Sequence, residues 1–83
     1  MNTPIHFKIS SAEGTSEEGD ASRIVVWDAL NVLTIGNQHA PLIAMLENGK
    51  IEFFSGETLQ KTLSYKEGFL RCKQNNCHIT VLS

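Results

Sequence analysis

Two cysteines and a histidine bracket a polar tip in the segment Arg71-Cys72-Lys73-Gln74-Asn75-Asn76-Cys77-His78. Donors of these types at this spacing are consistent with a metal knuckle, a disulfide clasp or a plain turn. Parity decides among them if the segment is a β-hairpin. A tip of two or of four residues leaves Leu70, Cys72, Cys77, Ile79 and Val81 on one apolar face and Arg71, Lys73, His78 and Thr80 on the other. The histidine then diverges from the thiols. A structural zinc needs four convergent donors, and no second cysteine pair exists, so His6 or His39 would have to complete the set. The reading favoured is two small, buried, free thiols. A bridge between Cys72 and Cys77, or a ligand or metal site using them with a histidine, is the alternative.

No other stretch frames chemistry. Ser, His and Asp all occur, but without a nucleophile elbow, a phosphate-cradling glycine loop or paired carboxylates. His39, between Gly36 and Pro41, is the best single proton-transfer or ligand candidate, and a solvated loop histidine is the simpler reading. The chain is therefore expected to be no enzyme and to hold no cofactor or metal.

The elements that would position these residues are short strands. Ile5, Phe7 and Ile9 alternate with His6, Lys8 and Ser10, the period of a strand with one buried face. Residues 11–22 follow with Glu13, Glu17, Glu18 and Asp20 among Ser, Gly and Thr, and they are expected to form an acidic flexible loop because they bury too little to offset ordering. The run Arg23 to Gly36 reads as strand, turn, strand, with a short helix near Asp28–Leu33 as the alternative. Residues 41–56 resemble a hairpin turning at Asn48-Gly49, a pair suited to a type I′ turn, with Leu46 facing Ile51, Ala44 facing Phe53 and Leu42 facing Ser55. Both faces of that hairpin are apolar, which implies a covered position or a face closed by another subunit. Leu59, Leu63 and Tyr65 alternate with Gln60, Thr62 and Ser64, Lys61 being the exception. The expected fold is a single all-β domain over residues 1–83, an antiparallel meander of six or seven short strands closing as a barrel or two-layer sandwich.

At 83 residues the core is small, and the net charge of -2 gives no general attraction to phosphate backbones or anionic membranes. The charge is split along the chain. Residues 1–49 hold two cations against six carboxylates, net -4, and residues 50–83 hold five against three, net +2. Nucleic-acid binding by a small barrel, through Lys61, Lys66, Arg71, Lys73 and an aromatic platform of Trp27, Phe53, Phe54, Tyr65 and Phe69, is thus disfavoured. With no leader or membrane span in this sequence, the expectation is a cytosolic protein.

The function expected is a non-catalytic protein-binding or regulatory module, working through a sheet edge, self-association as a homo-oligomer, or both. The strand Ile5, Phe7, Ile9 would present the edge, and the acidic residues Glu17, Glu18 and Asp20, with His39, would complete the surface.

Overall fold

Seven strands form one hydrogen-bonded sheet in a computed structural model that describes residues 4–29, 32–36 and 40–83. They are β1 (Ile5–Ser11), β2 (Ser16–Ala21), β3 (Arg23–Trp27), β4 (Val32–Ile35), β5 (Leu42–Ser55), β6 (Thr58–Lys73) and β7 (Asn76–Val81). Their order is β2-β1-β7-β6-β5-β3-β4, and every neighbouring pair is antiparallel except β1 with β7, which is parallel. The expected antiparallel meander is broadly met, as in β5-β6-β7, with one departure: the chain's first strand inserts in parallel beside its last. The all-β expectation holds. The two edge strands, β2 and β4, do not pair with each other, so the sheet is not a closed barrel.

What folds the sheet over itself is a change of face within its two longest strands. On β5, Leu42, Ala44 and Leu46 point inward up to Asn48, whereas Ile51 and Phe53 do so beyond it. On β6, Leu63 and Tyr65 point inward, then Leu70 and Cys72. A regular strand keeps one parity, so each chain must break it locally. Asn48 does so with φ 48°, a left-handed conformation that asparagine tolerates, and it has no partner between the pairs Glu47–Glu67 and Gly49–Tyr65. Gly49 is required beside it, because a Cβ there would collide with the Trp27 carbonyl and lie 2.7 Å from the Tyr65 hydroxyl.

The predicted Asn48-Gly49 hairpin is thus a bend within one 14-residue strand. Leu46 and Ile51 do share the inner side, but Leu46 pairs with Gly68 and Ile51 with Leu63, both on β6. The two halves lie in two layers, one containing β4, β3 and the ends of β5 and β6 that meet at the turn after Ser55, the other containing β2, β1, β7 and the remaining ends. The rings of Phe7 on β1 and Phe53 on β5 meet across the interior with centroids 4.3 Å apart. Ile24, Ile51, Phe53, Leu70 and Ile79 are fully enclosed. Each such side chain contributes roughly 1.5–3 kcal/mol by leaving water.

Residues 16–21 are not the expected loop; they are β2, paired with β1 from Ile5–Ala21 to Ser10–Ser16. The order comes from partners distant in sequence. Phe7 lies over Gly19, Ala21 enters the core, and Glu17 reaches across to Lys61 with 2.9 Å between charged atoms, closing the rim between the layers. That ion pair also explains why Lys61 interrupts the apolar alternation of β6. Only the turn between β1 and β2 remains loop. The helix alternative near Asp28–Leu33 is not realised in the described residues, where β4 begins at Val32; residues 30–31 lie outside them. Among the described residues no helix is long and apolar enough to cross a membrane.

Candidate functional site

The strand expected to offer a free edge is flanked on both sides. β1 pairs with β2 and β7, and Ile5, Phe7 and Ile9 are all buried. They serve the core, because a strand whose inner face is that apolar gains more from a central place than from an edge. His6, on the outer face, instead gathers two of the acidic candidates: Nε2 is 3.0 Å from a Glu18 oxygen and Nδ1 is 3.1 Å from an Asp20 oxygen. The hydrogen bond to Glu18, then that to Asp20, hold its pKa above the ordinary 6.5. Glu17 belongs to the Lys61 pair. The fourth candidate, His39, lies outside the described residues.

The cysteines make a disulfide between directly opposed positions of β6 and β7, correcting the expectation of free thiols. The turn is formed by Gln74 and Asn75, both with positive φ (51° and 60°), and the parity expected of Leu70, Cys72, Cys77 and Ile79 is observed. A bridged pair offers no thiolate to a metal, and His78 faces away, its Nε2 3.0 Å from the Ser10 hydroxyl oxygen. Among the described residues no three His, Cys, Asp or Glu side chains converge on a metal position. The aromatic platform is dispersed as well. Phe53 and Tyr65 are in the core, Arg23 covers Phe54 at 4.3 Å, and the Trp27 indole donates to Glu52 at 2.6 Å.

What the fold does expose is aliphatic. Past the bend, the Leu42–Leu46 half of β5 pairs, among the described residues, with β6 alone, because β3 reaches only Lys50–Phe54. Its outward side chains Ile43 and Met45 are 67% and 71% exposed. Val32, at the start of the edge strand β4, is 58% exposed and shares with Met45 and Ala44 a cleft of about 300 Å³. Asp28 fixes the geometry of this cleft. Its carboxylate accepts the Glu47 amide at 2.6 Å and the Tyr65 hydroxyl at 3.2 Å, while the Ala29 amide donates to the Glu47 carbonyl at 3.1 Å. Burial, then the charge and hydrogen bond of Asp28, push the Tyr65 phenol up to about 12. Sequence reasoning missed the surface because a hairpin at Asn48 would have placed Ile51 and Phe53 beside Leu46 on one ribbon, leaving no separate free half-strand. The one signal available was the excess of apolar residues on both faces of this stretch.

The described residues thus form a bent two-layer sandwich with an exposed aliphatic half-strand on its edge. The chain belongs to the family of the ATP synthase delta/epsilon chain β-sandwich domain, whose model matches residues 4–83. Thirty-one chains of solved structures match it. One, from the Tetrahymena thermophila mitochondrial ATP synthase central stalk and c-ring, aligns with a TM-score of 0.73 at 18% identity, over 99% of this chain. This chain spans 66% of that one's length. No curated protein matches.

The family is that of one chain of an enzyme complex, the ATP synthase, rather than of a generic regulatory module. Two expectations change. The cytosolic assignment is overturned, since the family is that of an ATP synthase chain and the similar structure is from a mitochondrial ATP synthase. The homo-oligomer finds no support in these likenesses.

Proposed function

We propose that this chain docks other protein subunits within an ATP synthase central stalk, using the free half of β5 and the start of β4. The observation that carries the reading is the exposure of Met45 and Val32 on either side of one cleft, on an edge that pairs with no other strand among the described residues. Enclosing each of these side chains on docking would contribute up to roughly 1.5–3 kcal/mol. Among the described residues the edge of Leu42–Leu46 away from β6 has no partner strand, and its backbone offers hydrogen bonds to an added one, so edge pairing is retained but moves from β1 to β5. The family match and the likeness to a central-stalk chain both support a partner that is another subunit rather than a second copy.

The test is co-elution of the tagged chain with a central-stalk and c-ring assembly from which the delta/epsilon chain has been removed. The unmodified chain is expected to co-elute, and a Val32→Glu, Met45→Glu variant with unchanged circular dichroism to lose binding by about 100-fold or more, a carboxylate at either position having to be desolvated on docking. Failure of the unmodified chain to bind, or undiminished binding by the variant, would refute the proposal.

A further inference from the structure

A second surface, distinct from the Val32–Met45 cleft, lies on the outer face of the layer formed by β1, β7, β6 and the free half of β5. The ladder pairs align its side chains in rows: Lys8 opposite His78, His78 opposite Arg71, and Arg71 opposite Ile43. In the adjoining row His6 is opposite Asn76, and Asn76 opposite Lys73. These residues line a groove of about 770 Å³. Lys50 and Lys61 find carboxylates within the domain, but Lys8, Arg71 and Lys73 form no ion pair with any described residue. Three unpaired cations thus share one face of a chain whose net charge is -2.

The groove is graded along its length. Glu18, held by His6, stands at the β2 end, the cations occupy the middle, and Pro41, Leu42 and the 67%-exposed Ile43 form the other end. A polyphosphate carries charge along its whole length, and would gain nothing from the aliphatic end while meeting the Glu18 carboxylate at the other. A protein segment with clustered carboxylates followed by an aliphatic side chain matches both the middle and the β5 end. We propose that this groove binds an acidic, aliphatic-containing segment of a protein partner, with its carboxylates on Arg71, Lys73 and Lys8 and its aliphatic side chain against Ile43. Arginine presents a planar fork suited to bidentate carboxylate recognition, so Arg71 at the centre of the row is the principal anchor.

The test is an NMR titration of the full 83-residue chain. The probes are a capped peptide of alternating glutamate and leucine, the same peptide with glutamine for glutamate, and inorganic tripolyphosphate. The acidic peptide is expected to shift the amides of Lys8, Ile43, Arg71, Lys73 and His78, and to bind about tenfold or more weaker when salt rises from about 50 to about 500 mM. The glutamine peptide should not bind. An Arg71→Glu, Lys73→Glu variant, checked for unchanged melting, should lose at least about tenfold in affinity. Absence of shifts with the acidic peptide, shifts confined to β4 and the Val32–Met45 cleft, undiminished binding by the charge-reversed variant, or equal or tighter binding of tripolyphosphate would each overturn the proposal. None of these outcomes refutes co-elution through the Val32–Met45 cleft, and shifts confined to that cleft would favour it, so the two readings fail separately.

Discussion

Replacing Asp28 tests the bend on which the exposed edge depends. Its carboxylate receives the Glu47 amide at 2.6 Å and the Tyr65 hydroxyl at 3.2 Å, so it ties the end of β3 to both strands where they change face. Hydrogen bonds to a charged group are worth about 1.5–3 kcal/mol each when fully enclosed. Asp28 is only half-buried, and water recovers part of that on truncation, so about 2 kcal/mol is expected for Asp28→Ala. Asp28→Asn keeps a carbonyl acceptor and should cost about 1 kcal/mol. For a domain of this size 1 kcal/mol corresponds to about 4–8 °C, so the alanine variant should melt about 8–16 °C lower by circular dichroism. Tyr65→Phe removes the other end of the network, including the bond to the Trp27 carbonyl at 3.3 Å. Because the two side chains share one hydrogen bond, the double variant should be less destabilised than the sum of the singles by about 0.5–1.5 kcal/mol. A melting shift below about 2 °C for Asp28→Ala, or strict additivity within about 0.3 kcal/mol, would refute the clamp.

Tyr65 is the chain's single tyrosine, so its ultraviolet phenolate band reports on that residue alone; it should titrate near 12 in the native protein, and lower in Asp28→Asn. A native pKa raised above that of the unfolded chain gives stability that is complete below pH 10 and falls as pH climbs toward 12, so alkaline denaturation should set in across that window. The His6 ring should titrate above 6.5 by NMR and return toward it in Glu18→Gln, Asp20→Asn; its small contribution is complete below pH 6.5 and is lost as pH rises through the raised value. Changing Cys72 and Cys77 to serine opens a loop with a sequence separation of 5, for which chain entropy gives about 2 kcal/mol, so melting should fall by about 8–16 °C. Mass spectrometry of the denatured, unreduced chain should find no thiol available to an alkylating reagent.

Features fixed by local periodicity were legible in the sequence. Alternation alone located β1, and parity alone placed Leu70, Cys72, Cys77 and Ile79 inward with His78 opposed to them. The failures share a cause, which is that distant partners decided the outcome. Glu17, Glu18, Gly19 and Asp20 have little burial of their own, yet β1 supplies a backbone ladder, Phe7 a ring over Gly19, and His6 and Lys61 the countercharges. Asn48-Gly49 carries the chemistry of a tight turn, but the same positive φ serves equally to turn a strand's inner face outward. Only the pairing of β5 with β6 along nearly its whole length selects the bend. Misplacing that one device hid the free half-strand, and with it the candidate site. The local composition of Ile5, Phe7 and Ile9 could not show that the chain's last strand would come to lie beside its first.

The most direct measurement is hydrogen–deuterium exchange of this chain, free and assembled with the central stalk and c-ring. The amides of Leu42–Leu46 and Val32–Ile35 should become protected on assembly while those of Ser16–Ala21, at the opposite edge, exchange as before. Protection confined to β2, or none at all in an assembly that contains the chain, would contradict docking through the β5 edge.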